Sequence, residues 1–315
     1  MVKEIVAGVV GAGVFGGYHA NKYAALPGVR LSAVHDVDST KATSLAVLHG
    51  ATPYTDYDEF LAQIDVATIA SPATTHYALA RRALEAGVHV LIEKPMALRV
   101  DHADILIELA KEREVVIQAG HQERFVFDAF GVASREAKPR SIWCRRRNPR
   151  SGRGEDVSVV FDLMIHDLDL IRRFGLGEIA AIAAVGDFDE IESEIIFANG
   201  ATALFESSRR ASLCDRRMTL VYDDGIIEID FVKRAVSNTT RTPLPATFNG
   251  KSDDPAFADP LGHGVACFLA AVRGEAAPAI SAGDGRAAAE WALLIEEAAR
   301  RPAAPKTSEP LRARA

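Results

Sequence analysis

The sequence predicts an α/β chain in two parts: a doubly wound parallel sheet over residues 1–122, then an α+β domain on an open, mostly antiparallel sheet over 123–300, with 301–315 as a tail. Three observations predict it. A glycine-rich turn separates the first apolar run from the first helical stretch; strands and helices then alternate as far as residue 119; beyond about residue 122 strands follow one another with few helices between them. Length agrees, because single cores stop growing at roughly 250–300 residues and this chain has 315.

Ile5 to Val10 is a short apolar β-rich run, Gly11 to Gly16 a turn, and His19 to Ala25 a helix-compatible stretch closed by Pro27-Gly28. Val29 to His35 alternates and ends at Asp36, after which Ser39-Thr40 can cap a helix through Leu48 that stops at Gly50. Val66 to Ala70, Val88 to Ile92 and Val115 to Ala119 read as further strands, with helices running through Ala86 and from about Val100 to Glu112 between them. The second texture comprises Ser141 to Arg147, Ile179 to Val185, Glu192 to Phe197, Ala201 to Ser207, Met218 to Tyr222 and Ile226 to Phe231. Asn199-Gly200 and Asp223-Asp224-Gly225 are hairpin-type turns, which predicts antiparallel neighbours. One helix, about Ser158 to Arg173, interrupts these strands, and helices from about Gly262 to Arg273 and Ala287 to Arg300 close the fold.

Composition narrows the function classes. A hydrophobic share of 48% and a charged share of 25% are globular averages, and a net charge of -7 argues against nucleic acid as a partner. Cys144, Cys214 and Cys267 lie far apart without CxxC spacing, giving neither a disulfide framework nor a zinc cluster and pointing to a reduced, cytoplasmic setting. With a strand pattern starting at Lys3 to Val10, no cleavable signal segment is expected. No apolar run approaches the roughly 20 residues that cross a bilayer, so no membrane partner is expected.

Gly11-Ala12-Gly13-Val14-Phe15-Gly16 is GxGxxG between a strand and a helix, the Rossmann arrangement. Gly11 permits the tight turn, Gly13 lets backbone approach a pyrophosphate, Gly16 lets helix and strand pack closely, and Val14 and Phe15 open the helix whose N-terminus faces the phosphates. Asp36 ends the second strand, where a carboxylate accepts hydrogen bonds from a ribose 2'-hydroxyl and repels a 2'-phosphate, so NAD is expected over NADP. The other reading is a glycine-rich turn with no ligand. Ser71-Pro72 and Glu93-Lys94-Pro95 follow two strands directly, at the carboxyl edge where ligands bind in open α/β sheets. There Lys94 can bond a reacting hydroxyl and stabilise negative charge, with Glu93 positioning it; the alternative is a solvated surface ammonium. Pro95 is a candidate for a cis peptide.

Asp162 and His166, at i and i+4, share one helix face. A histidine near its neutral pKa suits removal of a hydroxyl proton as hydride leaves, and a neighbouring carboxylate can orient it. A core histidine satisfied by an acid, or a metal site from Asp162, His166 and His121, are the competing readings; no metal is expected, since no cysteine or HExxH spacing supports one. Arg145, Arg146, Arg147, Arg150 and Arg153 form a basic cluster in which strand alternation points Arg145 and Arg147 to one face, a candidate diphosphate clamp or else a charged edge strand.

Taken together, the GAGVFG turn, Ser71-Pro72 with His76, Glu93-Lys94-Pro95, Gly120-His121-Gln122-Glu123-Arg124-Phe125 and the Asp162/His166 pair resemble the glucose-fructose oxidoreductase, inositol dehydrogenase and rhizopine catabolism family (Gfo/Idh/MocA). The resemblance implies an NAD-dependent oxidoreductase acting on a sugar-type secondary hydroxyl, with subunits joined into dimers or tetramers through the exposed sheet face. It also implies Lys94 at the nicotinamide and substrate, His166 as general base with Asp162 as its partner, His76 and Gln122 at the cofactor, and Arg124 at the substrate. The run from Asp156 to Asp167 is most similar to the group that oxidises the 3-hydroxyl of UDP-N-acetylglucosamine, for which Arg145 and Arg147 would meet the diphosphate. A dehydrogenase of a free cyclic polyol or monosaccharide and a non-catalytic NAD-binding regulator are the alternatives.

Overall fold

The computed structural model describes residues 4–152, 154–244 and 253–301; Arg153 of the basic cluster and the expected tail from residue 302 lie outside the described residues. The first sheet contains β1 (Ile5–Val10), β2 (Val29–His35), β3 (Thr52–Tyr54), β4 (Val66–Ile69), β5 (His89–Glu93) and β6 (Ile117–Gly120), ordered β3-β2-β1-β4-β5-β6. Every pair in it is parallel. Helices α1 (Val14–Ala25), α2 (Ser39–His49), α3 (Tyr57–Leu61), α4 (His76–Glu85) and α5 (Val100–Glu112) form the crossovers. Strand order reverses between β1 and β4, so the carboxyl ends of those strands open a crevice. β3 and α3 escape the sequence reading because Thr52-Pro53-Tyr54 is too short for periodicity; Pro53 is tolerated because β3 is an edge strand. The cap of α2 is Asp38, whose carboxylate accepts from Thr40 N and Lys41 N, and not Ser39-Thr40.

The second sheet holds β7 (Ser141–Arg147), β8 (Ile179–Gly186), β9 (Glu190–Phe197), β10 (Thr202–Ser208), β11 (Asp215–Tyr222), β12 (Gly225–Asp230) and β13 (Ala235–Asn238) in the order β13-β12-β11-β7-β10-β9-β8. Its pairs are antiparallel apart from β7 with β10, which run parallel at the centre. Beside it lie α6 (Glu123–Ala129), a π-helical turn at Val160–Met164 running into α7 (Ile165–Arg172), α8 (Pro255–Ala258), α9 (Pro260–Val272) and α10 (Ala282–Arg300). Alternation decides the faces: Ile142 and Cys144 of β7, Ala203 and Phe205 of β10, and Met218 and Leu220 of β11 point to one core with Phe161, Leu168, Ile171, Ala292 and Ile295. The opposite face carries Trp143, Val185 and Ile226, all exposed. No described helix is long and apolar enough to cross a membrane.

The boundary at residue 122 is not a clean cut. Val265, Phe268 and Leu269 of α9 are buried with Ile5, Ala7, Val9, Ala20 and Tyr23, so this late helix closes the first sheet rather than the second domain. α10 then runs along the seam. A Cβ on its Gly285 would stand 2.9 Å from Ala119 Cβ, which is why the helix can lie against β6 there. Gln118 Nε2 donates to Gly264 O at 2.9 Å, tying the same strand to α9. Phe268→Ala should therefore destabilise the nucleotide-binding half, by about 3–5 kcal/mol for a fully buried ring. Urea unfolding measures it; a loss under about 1 kcal/mol, or cooperative unfolding of an isolated 1–122 fragment, would contradict the role given to α9.

Candidate active site

The glycine turn is shaped by its own backbone. Gly11 sits at φ +92, and a Cβ there would meet Ser71 N at 2.8 Å; a Cβ on Gly16 would come within 1.8 Å of Gly11 O. Around Gly13 nothing lies within 4 Å of the Cβ position, so the side on which backbone must approach a diphosphate is open. Val14 and Phe15 begin α1, whose cap residue Gly13 offers no side-chain bond. Asp36 Oδ2 accepts from Ala12 N at 2.7 Å and Oδ1 from Asp38 N at 2.9 Å, so the carboxylate at the end of β2 is anchored to the turn itself. This cradle fits NAD: it has room at Gly13, N–H groups at α1 and a fixed carboxylate where a ribose diol would lie.

At the carboxyl edge, Glu93 is buried and accepts from His19 Nε2 at 2.7 Å and Gln122 Nε2 at 2.6 Å. Burial opposes its ionisation, but the His19 hydrogen bond and the positive groups around it hold the carboxyl below the usual range. Glu93 does not hold the Lys94 ammonium; only the Lys94 backbone N approaches it, at 3.3 Å. The ammonium crosses the seam instead, donating to Asp162 O at 2.7 Å and Asp162 Oδ1 at 3.1 Å. His76 is also reassigned. It is buried, with Nδ1 2.7 Å from Pro95 O and Nε2 2.9 Å from Ser71 O, so it donates to one of these carbonyls and lies between the two strand-end loops. Ser71 Oγ is bonded to Thr75 Oγ1, Pro72 precedes the short turn Ala73–Thr75, and the Lys94-Pro95 peptide is cis.

The second domain supplies the opposing wall. The π-helical turn brings Asp162 and His166 to the seam, though each has its own partners: Asp162 takes Lys94 and, at 3.6 Å, Arg209 Nη1. The His166 ring stands edge-on to the His121 ring, centroids 6.5 Å apart, and Glu123 is the strongest charged influence on it. Burial pushes the His166 imidazole well below its ordinary value, with the Glu123 carboxylate pulling the other way and Lys94, Arg146 and His121 adding to the depression. It is therefore neutral near pH 7, and among the described residues its Nδ1 has no hydrogen-bond partner. Glu123 in turn is desolvated, but Arg146 and Arg216 keep it firmly ionised.

The arginines are redistributed by strand alternation. Arg145 and Arg147 do share a face, but it is the open face of the sheet, where Arg145 meets Glu206 at 3.1 Å, Asp215 at 3.4 Å and the Trp143 ring, and Arg147 meets Glu206. Neither reaches the seam. Arg146, between them, is the one turned inward, 1% exposed and bonded to Asp167 and Glu123. Arg124 is buried and paired with Asp169 and Asp284, which makes it a strut between α6, α7 and α10. His19 and Arg209 are residues at the seam that sequence reasoning passed over, while His121, Glu123 and Arg146 were named there without the contacts seen here. Within the segment His121 to Arg124, His121 follows β6 and sets its ring 6.5 Å from that of His166, Glu123 opens α6 on Arg146, and Arg124 pairs with Asp169 and Asp284.

The family described as oxidoreductase family, NAD-binding Rossmann fold (GFO_IDH_MocA) matches residues 5–121. UDP-N-acetylglucosamine 3-dehydrogenase of Acidithiobacillus ferrooxidans is 35% identical over 237 residues, 73% of this chain and 75% of the relative. Its solved structure superposes with a TM-score of 0.84 at 30% identity, covering 95% of this chain and 98% of that one. Inositol 2-dehydrogenase of Rhizobium meliloti is 28% identical over 334 residues, 95% of this chain and 97% of the relative. GenD2 from gentamicin A biosynthesis, solved in complex with NAD, superposes at 0.82 with 27% identity, covering 95% of each chain.

Gly16→Ala should abolish NAD binding while leaving the second domain folded, because its methyl would need the space of Gly11 O. Quenching of NADH fluorescence reads the affinity; binding within about threefold of the unsubstituted protein would show that the turn can relax around the added carbon.

Proposed function

Since this chain belongs to the Gfo/Idh/MocA family of NAD-binding oxidoreductases, we propose that its reaction is NAD-dependent oxidation of the 3-hydroxyl of UDP-N-acetylglucosamine. The observation that carries the reading is the convergence of the Lys94 ammonium, fixed by Asp162, and the neutral imidazole of His166 on the seam beside the NAD cradle. When bound, NAD supplies the hydride acceptor. His166 takes the hydroxyl proton, which a neutral imidazole can do and an imidazolium cannot. Lys94 bonds the same oxygen as it loses that proton and stabilises the charge that develops there. Asp162 keeps the ammonium aimed, and Arg209 backs Asp162 from the other side.

The choice of a nucleotide sugar rests on likeness to the Acidithiobacillus ferrooxidans enzyme, as its name describes it. With Arg145 and Arg147 on the far face, a diphosphate would be met by the cations linked to Asp162: Arg209 and, through Asp189, Arg150 and Arg210. Oxidation of a free cyclic polyol is the second reading, favoured by the inositol dehydrogenase that matches over nearly the whole chain. Subunit association into a homodimer or homotetramer through the exposed sheet face bearing Trp143, Val185 and Ile226, in the cytoplasm, completes the proposal.

Melting temperature with NAD present, read while UDP-N-acetylglucosamine, UDP or myo-inositol is added, separates the readings, because a ligand of the folded state raises it. Stabilisation by UDP and the UDP-sugar is expected; stabilisation by myo-inositol alone would replace the substrate with a polyol. Lys94→Met should lower kcat about 100- to 1000-fold with NAD affinity kept, and wild-type turnover by this variant would remove Lys94 from the chemistry. The acid limb of kcat/KM should fall below the ordinary histidine value of about 6.5, since His166 is depressed and activity is present above its folded pKa and lost as pH drops through it. An acid limb at or above that value, or one unchanged in His166→Ala, would contradict the assignment of the base.

A further inference from the structure

His121 is the polar side chain in the seam whose place none of the contacts above explains. It follows β6 directly, at the carboxyl edge of the first sheet, and is 1% exposed. Among the described residues neither Nδ1 nor Nε2 has a hydrogen-bond partner, although buried polar groups are paired in the great majority of cases and unpaired ones cost stability. Its ring stands edge-on to His166, centroids 6.5 Å apart at 86°. The charged groups that act on it are Asp169, Arg124, Lys94 and Glu93, and each is already committed elsewhere: Asp169 with Arg124, Lys94 with Asp162, and Glu93 with His19 and Gln122. The protein thus surrounds this imidazole with polar groups and bonds none of them to it. Burial, the largest influence, keeps it neutral, so the ring offers one donor and one acceptor, the complement of a hydroxyl or of an amide substituent.

We propose that His121 is a substrate-contacting residue that holds the polar substituent on the carbon next to the one that loses hydride. The inference rests on the reading that His166 and Lys94 act on the reacting hydroxyl: a ring edge-on to the base is then set beside that hydroxyl, at the neighbouring position of a six-membered sugar or polyol. It narrows the substrate class to rings with two adjacent polar substituents, and it makes His121 selective against analogues that lack the second one.

His121→Phe and His121→Asn test it. Phe keeps a planar ring but removes both nitrogens; Asn keeps a donor and an acceptor. With His121→Phe, ligand-free protein should melt about 2–4 °C higher, because the unpaired nitrogens are gone. Affinity for NADH should be unchanged, and KM should rise at least about tenfold for whichever of UDP-N-acetylglucosamine and myo-inositol the wild-type protein oxidises. His121→Asn should recover part of that KM. Unchanged KM in His121→Phe overturns the proposal, and so does a fall in melting temperature together with weaker NADH binding, which would make His121 a support of the core. If the wild type oxidises neither compound, the substrate reading fails by itself. The melting temperature then decides, and a His121→Phe protein that melts no higher overturns the assignment.

Discussion

The contact on which the site depends is the one between Lys94 and Asp162. Lys94 ends β5 of the first sheet, Asp162 lies in the π-helical turn of the second domain, and both are largely buried, at 17% and 15% exposure. An ammonium placed there without an acceptor would carry a desolvation cost that Asp162 offsets. The pair also fixes the distance between the NAD cradle and the wall that carries His166. The rest of the fold keeps that distance constant. α9 packs on the first sheet, α10 runs along β6, and Arg124 joins α6, α7 and α10 through Asp169 and Asp284.

Around this contact, burial sorts the charge states. Where a carboxylate has donors or cations at hand, as Glu93 has His19 and Gln122 and Glu123 has Arg146 and Arg216, it stays ionised despite desolvation. Where an imidazole has no such support, as at His121 and His166, burial keeps it neutral. The seam therefore carries fixed carboxylates, a fixed ammonium and two uncharged rings. That combination suits removal of a proton from an alcohol better than either charge state alone would.

Most of the first domain was legible from sequence, because its strands are short apolar runs and its turn is spelled in glycines whose backbone demands are local. Asp36 and Lys94 were legible for the same reason: each follows a strand directly, and a strand end has only one edge to face. What was not legible depended on packing between distant segments. Alternation grouped Arg145 with Arg147 but could not say which face the helices would cover, and the covered one belongs to Arg146. The resemblance implies His76 at the cofactor, and in the fold its two nitrogens lie beside carbonyl oxygens of two different loops. The i, i+4 spacing of Asp162 and His166 assumed an α-helix; the π-helical turn and the partners across the seam gave each its own role. The return of α9 to the first sheet left no local trace, since an apolar helix reads the same against either core.

The central claim is that this seam moves hydride from a sugar carbon to NAD. Incubation of the protein with NAD and UDP-N-acetylglucosamine carrying deuterium at the sugar C3 position, followed by mass analysis of the dinucleotide, tests it most directly. The account predicts reduced NAD that has gained the deuterium. Reduced NAD without the label would move the reaction to another carbon, and no reduced NAD at all, with NAD and the UDP-sugar both bound, would contradict the account.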